Sequence, residues 1–239
     1  MGTTYRFLNT IEPLPAVKPQ MSPKTIQLHK PNLEQLKVRD ISLTQAIETR
    51  RSLRNYAQTS ITAKQLGEFL YRTARVKQLI KLEQGEYTHR PYPSGGGLYE
   101  LELYPLINTC TGIKAGFYHY DPLTHQLGQL SESNKDTEKL LQDAWYASGQ
   151  QDKPHILIAI AARFFRLSWK YESIAYSLIL KHVGVLSQTM YLVATAMNLA
   201  PCALGSGNAD LFTKVVGTNY YGESSVGEFI LGSNPDNIG

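Results

Sequence analysis

From Val183 to Ala209 the chain carries no charged side chain, and an uncharged run of that length has to be buried, either in protein or in lipid. Ser187, Gln188, Thr189, Asn198 and Pro201 interrupt it too often for a bilayer, where polar groups find no water. It therefore reads as a buried helix running into a loop. Upstream, Ile174 and Leu178 join Val185, Leu186, Leu192, Val193 and Ala196 in leaving little of the surface polar between Tyr171 and Leu199. One long central helix over that range is the expectation, and the rest of the fold has to cover it. With 239 residues and 42% hydrophobic content, the chain can do so without a disulfide or metal staple.

The covering elements are of both kinds. A helical pattern starts at Ser42, with Leu43, Ala46 and Ile47 on one face, and runs to about Arg54-Asn55-Tyr56. A second begins near Thr62, with Leu66, Phe69, Leu70 and Ala74 aligned, and a third lies near Thr137 to Tyr146. Strands are expected at Leu101–Ile107, Gly116–Tyr120, His155–Ala161 and Glu228–Leu231; the third is an unbroken apolar run, as in a central strand covered on both faces. Without regular strand–helix alternation or an internal repeat, this is an α+β layer fold. Residues 1–40, broken by Pro13, Pro15, Pro19, Pro23 and Pro31, read as an extended N-terminal arm, and residues 41–239 as the catalytic domain.

Several function classes recede. The net charge is +4 with no basic tract, which argues against nucleic-acid binding. Cys110 and Cys202 are the only cysteines and the six histidines are scattered, so neither a disulfide framework nor a metal site is indicated. The first twenty residues contain Arg6, Glu12 and Lys18 instead of an apolar signal core, so a cytoplasmic protein, neither exported nor membrane-anchored, is expected.

Four short motifs could carry chemistry. In Arg50-Arg51-Ser52-Leu53-Arg54, a helical spacing would place Arg50 and Arg54 on one side with the Ser52 hydroxyl near them. Two guanidinium forks and a hydroxyl suit a phosphate monoester, although a solvated basic helix end explains them as well. Pro93-Ser94-Gly95-Gly96-Gly97 would let backbone amides approach a ligand, or be a plain turn. Leu204-Gly205 lies in a small-residue loop after the apolar helix, where Pro201 is also a simple helix stop. Trp169-Lys170-Tyr171-Glu172 would open the central helix; there the macrodipole disfavours a lysine's charge and promotes it toward a general base, with a surface lysine as the plain alternative. His182, inside the apolar helix, reads as a satisfied core histidine.

The order of these motifs over residues 41–239 resembles the nitroreductase superfamily, and more closely its SagB/McbC-type branch, the azoline dehydrogenases of thiazole- and oxazole-containing peptide biosynthesis, cyanobactin-like pathways among them. The resemblance implies that Arg50, Ser52 and Arg54 bind the FMN phosphate and that Pro93, Ser94, Gly95 and Gly96 lie along the flavin. It also matches Gly184 and Gln188 to a glycine and glutamine of the family's long helix, Leu204 and Gly205 to a loop near the isoalloxazine, and residues 227–232 to the last core strand. Lys170-Tyr171 matches the pair that separates azoline dehydrogenases from ordinary nitroreductases.

The implied fold is a central mixed or antiparallel sheet flanked by helices, in an intertwined homodimer whose N-terminal arm reaches the partner. The implied reaction oxidises a peptide thiazoline or oxazoline to the azole, with hydride passing to flavin N5, Lys170 and Tyr171 assisting proton removal, and dioxygen as acceptor. The substrate is then an azoline-containing peptide, and other peptide-modifying enzymes are possible partners. An NAD(P)H-dependent nitro- or quinone reductase and a non-catalytic flavin-binding scaffold are the alternatives. In that branch the pattern often sits inside longer proteins, and the chain could be an excised domain.

Overall fold

The structure, a computed structural model, describes residues 6, 7 and 10–235. The opening of the expected arm, residues 1–5 with 8 and 9, lies outside them.

In chain order the elements are β1 (Thr25–Gln27), α1 (Leu33–Arg39), α2 (Leu43–Thr49), α3 (Ala63–Ala74), β2 (Gln78–Leu82), β3 (Gly85–His89), β4 (Leu101–Ile107), β5 (Gly116–Asp121), β6 (Gln126–Glu132), α4 (Lys135–Ala147), β7 (Ile156–Arg163), α5 (Phe164–Tyr171), α6 (Ala175–Ala196), β8 (Leu199–Leu204), α7 (Ala209–Val216) and β9 (Glu223–Ser233). Seven strands form one sheet in the order β1-β6-β5-β4-β7-β9-β8, and β2 with β3 forms a separate hairpin. Every pairing in the main sheet is antiparallel. The α+β class and antiparallel sheet follow the sequence expectation.

β7 is the centre, buried along its whole length. Because side chains alternate across a strand, Ile156, Ile158, Ile160 and Ala162 enter the core formed with α3 and α6. Leu157, Ala159 and Ala161 face the opposite core, with Leu140 and Leu141 of α4 and Phe212 of α7. The uninterrupted apolar run is the consequence of being covered twice.

α3 starts as its sequence asks: Thr62 and Gln65 form a reciprocal capping box, and Leu66, Phe69, Leu70 and Ala74 are buried. α2 stops at Thr49, five residues before the expected end at Arg54, and residues 50–57 have no helical backbone. Only Ala46 of its apolar set is buried, while Leu43 and Ile47 remain 66% and 50% exposed.

The central helix needs the larger correction. It runs from Ala175 to Ala196, and Lys170-Tyr171 belongs to α5, a separate helix. Glu172 takes a left-handed φ of 40° between them, which breaks the ladder. Lys170 therefore sits in the last turn of a helix, where the macrodipole attracts a cation instead of repelling it; the dipole argument for a base fails. The expected loop after the helix is also different: Leu199–Leu204 is the edge strand β8, where Pro201 is tolerated because an edge leaves one side unpaired.

Described parts of residues 10–40 lie against this chain's own body. β1 pairs with β6, and Ala16 is fully buried. The carbonyls of Pro15 and Leu14 accept from Arg163 Nη1 at 2.8 Å and Arg166 Nη1 at 2.6 Å, and that of Ile11 from the Trp169 indole at 2.6 Å. Among the described residues, no helix is long and apolar enough to cross a membrane.

Candidate active site

The structure gathers the motif residues into two groups on different sides of α6. The first forms where α2 ends. Arg50, Ser52 and Arg54 follow one another in non-helical backbone, with the Leu53 amide donating to Pro201 O of β8 at 2.9 Å. The helical spacing expected for Arg50 and Arg54 is therefore absent, and the Arg54 carbonyl accepts the Asp152 amide at 3.2 Å. The Ser52 hydroxyl lies 2.7 Å from the Tyr191 hydroxyl of α6. Tyr191 also accepts the Ala203 amide of β8 at 2.8 Å, and the Arg50 guanidinium lies over its ring at 5.1 Å. One phenol thus ties helix, edge strand and the Arg-Ser segment together.

Leu204 and Gly205 follow directly on Ala203. A Cβ on Gly205 would meet nothing within 4 Å, and the same holds for Gly184 on α6. Gln188 is exposed one turn from Gly184. Gly207 differs, since a Cβ there would strike the Glu228 carboxylate. Burial raises the pKa of Glu228, against a hydrogen bond from Ser225.

In the second group, Lys170 and Tyr171 are brought onto the glycine loop. Gly96 has φ 60°, and a Cβ there would lie 2.9 Å from both Lys170 Nζ and Tyr171 Oη. Only glycine fits beneath the pair without strain or overlap. Ser94 accepts the Tyr99 amide at 3.1 Å and lies 3.3 Å from Glu100 Oε2. The Gly95 amide donates to His182 Nε2 at 2.9 Å, while His182 Nδ1 is 2.7 Å from Glu100 Oε1. Pro93 is exposed at the loop's entry. From below, the wholly buried Arg166 donates from Nε to Leu98 O at 2.8 Å. Burial, followed by the neighbouring Arg163 charge, brings its pKa down to about 10.

His182 and Tyr191 mark the two groups. At about 100° and 1.5 Å per residue, nine residues of helix set them half a turn apart around α6 and roughly 13 Å apart along it. The groups therefore do not converge within one chain. A cleft of about 770 Å³ is at neither group: it lies between residues 10–15 and 81–86, with Trp169.

Sequence reasoning singled out Lys170, Tyr171 and the Pro93–Gly96 loop separately, without their contact, and grouped Arg50 and Ser52 with Arg54. It missed Tyr191, whose only signal was an aromatic hydroxyl in a mostly apolar helix that carries several other polar side chains, Ser187, Gln188 and Thr189 among them. His182 is satisfied as expected, though its partners belong to the glycine loop.

A protein of Methanocaldococcus jannaschii named as a nitroreductase is 26% identical over 185 residues, 76% of this chain and 85% of that protein. The microcin B17-processing protein McbC of Escherichia coli is 31% identical over 115 residues, 46% of this chain. The trifolitoxin-processing protein TfxB of Rhizobium leguminosarum is 23% identical over 164 residues, 67% of this chain. The chain spans 42% of McbC's length and 44% of TfxB's.

Among solved structures, a Ralstonia eutropha protein named for the nitroreductases aligns with TM-score 0.68 at 19% identity, covering 95% of this chain and 96% of that one. The E. coli microcin synthetase McbBCD complex with truncated pro-MccB17 bound aligns at 0.61 and 19%, covering 88% and 85%. An Exiguobacterium sibiricum protein in complex with FMN aligns at 0.55 and 13%, covering 82% and 90%. Residues 47–232, most of the chain and both motif groups, match the Nitroreductase family, and the chain is a member of that family.

Proposed function

We propose that this protein oxidises thiazoline or oxazoline rings in a peptide to the aromatic azoles, using FMN. The observation that carries the reading is the placement of Lys170 Nζ and Tyr171 Oη over Gly96, where both would overlap a side chain on that residue. The kinship with McbC and TfxB, both named for peptide processing, points the same way.

The donor set suits FMN. Arg50, Ser52 and Arg54 offer two guanidinium forks and a hydroxyl, the chemistry a phosphate monoester needs. Tyr191 holds the Ser52 hydroxyl at 2.7 Å beside the two arginines. Open backbone at Gly205 and Gly184, with Leu204 and the exposed Gln188 beside them, admits a flat ring close to main chain. The Pro93–Gly96 loop gives the second wall. Since the two groups lie on opposite sides of α6, we assign a complete site to two copies of the chain, each contributing one group, in a homodimer.

When bound, FMN supplies the two-electron acceptor for a hydride leaving the azoline, with dioxygen as the final acceptor. The protein's task is the remaining proton. Lys170, in its uncharged form, removes it from the ring carbon, and Tyr171 holds the ring nitrogen or relays the proton. Loss of one hydride and one proton gives the aromatic ring, and the glycine loop fixes the distance at which both groups work. Residues 41–239 are the catalytic unit in this reading, residues 1–40 an arm that completes its cover, and the cytoplasm its place beside the enzymes that make the azoline.

The test is mass spectrometry of an azoline-containing peptide incubated with FMN-loaded protein and air, without NAD(P)H, beside Lys170→Ala. A loss of about 2 Da per ring in the wild type, slowed on the order of 100-fold or more in the variant with FMN retained, is the expected outcome. No loss, with rapid flavin reduction by NADPH, would assign the chain to the ordinary nitroreductases. Equal rates in both proteins would remove Lys170 from the reaction.

A further inference from the structure

The loop from Ser94 to Glu100 turns through a run of left-handed backbone, with φ of 60° at Gly96, 69° at Gly97 and 48° at Tyr99. At Tyr99, which has a Cβ, that conformation costs on the order of 1 kcal/mol. A loop of this kind keeps its shape only when outside contacts hold it. Arg166 holds Leu98, and His182 holds Gly95.

We propose that His182, backed by Glu100, is a positioning residue for the oxidation: it fixes the Gly95–Gly96 backbone beneath Lys170 and Tyr171. The inference rests on the reading that this pair performs the proton chemistry. The hydrogen-bond network assigns the tautomer. The Gly95 N–H needs an acceptor, so Nε2 carries the lone pair and Nδ1 the proton, which goes to Glu100. Glu100 is wholly buried and uses its other oxygen on Ser94. Both ends of the loop, Gly95 and Glu100, are thereby joined through one imidazole.

The same ring reaches Tyr171. A Cβ on Gly95 would lie 3.3 Å from His182 Cε1 and 3.4 Å from Tyr171 Cε2, so the imidazole and the phenol flank one glycine. A histidine that only filled the core could satisfy its nitrogens anywhere. Here both partners belong to the loop that the reactive pair covers, and moving the imidazole moves Gly95 with Tyr171 against it.

Two substitutions separate the hold from the bulk. His182→Asn keeps an amide near the Nδ1 position, able to donate to Glu100, but leaves Gly95 without an acceptor. His182→Gln carries an amide oxygen to the Nε2 position and keeps that acceptor. The measurements are kcat and KM on an azoline peptide at saturating FMN, and the hydrogen-exchange rate of the Gly95 amide by NMR, with and without FMN.

The expected result for His182→Asn is a kcat lower by about tenfold or more with KM within roughly twofold, and Gly95 exchange faster by about tenfold, the equivalent of one lost hydrogen bond. His182→Gln should stay near the wild type in both. Equal losses in the two variants, or wild-type kcat in His182→Asn, would overturn the proposal. If the wild type leaves azolines untouched, the proposed reaction fails, and Gly95 exchange alone decides on the hold: faster in Asn than in Gln supports it, equal rates refute it.

Discussion

The two sides of α6 are built on opposite plans. On the His182 side, Gly95, Leu98, Ser94 and Glu100 all bond to groups of the same chain. On the Tyr191 side, Arg50 and Ser52 gather round one phenol, and the backbone at Gly205 faces open space. Two carboxylates on the sheet face away from α6 are held in contrasting ways. Burial disfavours the charge of Glu102, but Arg163 and His119 outweigh it and hold its pKa at about 2. At half-buried Glu228 burial prevails and raises the pKa. A group that moves a proton needs geometry settled in advance, whereas a ledge that binds an anion can let the ligand complete the order.

The largest expected effect lies at Glu102. The carboxyl of Glu102, ordinarily near 4.5 and here about 2, is depressed by folding. Its stabilising share is present above the ordinary value and disappears as pH falls through the folded one, on the order of 3 kcal/mol. Urea midpoints should therefore drop steeply across that window. Glu102→Gln, which strands Arg163 without its partner, should be less stable at neutral pH and flatter in acid. A wild type insensitive to acid here would break the contrast at its base.

On the open side, Arg50→Ala should weaken FMN binding by roughly 10- to 100-fold, the worth of charge-assisted bonds to a phosphate, as read by flavin-fluorescence titration. Unchanged affinity would take the phosphate away from this ledge. Tyr191→Phe removes only the hydroxyl shared by Ser52 and Ala203, and a loss of about three- to tenfold is expected. A larger loss than that of Arg50→Ala would mean that the phenol itself touches the ligand.

The smallest effect is at Glu228. Since folding raises its pKa, its charge lowers stability increasingly as pH rises through the folded value, and not at all well below the ordinary one. Glu228→Gln should raise the melting midpoint by roughly 1–3 °C at neutral pH and leave it unchanged in acid. The opposite sign would show that the charge has a partner on the ledge.

The framework was more legible in the sequence than either side of the site. The apolar run of β7, the capping box of Thr62 and Gln65, and the order of the motifs follow from local rules. Three things do not. The break between α5 and α6 rests on left-handed Glu172, where no glycine or proline announces it. β8 looked like a loop because small residues and Pro201 mean helix termination unless the edge position is known. Tyr191 and the partners of His182 are contacts between segments far apart in sequence, and no local pattern encodes them.

The place of β9 sets a clock for the site. β8 is hydrogen-bonded into the sheet only through β9, from Leu199 opposite Ser233 to Leu204 opposite Glu228. A nascent chain that has emerged as far as α7 can already pair β4 with β7, yet its β8 has no neighbouring strand. The Arg-Ser segment, whose Leu53 amide donates to Pro201 O, then has Tyr191 of α6 beside it but no fixed edge strand to lean on. The glycine loop, whose holds come from α5 and α6, can settle before β9 emerges, and the ledge at Pro201 is completed only afterwards.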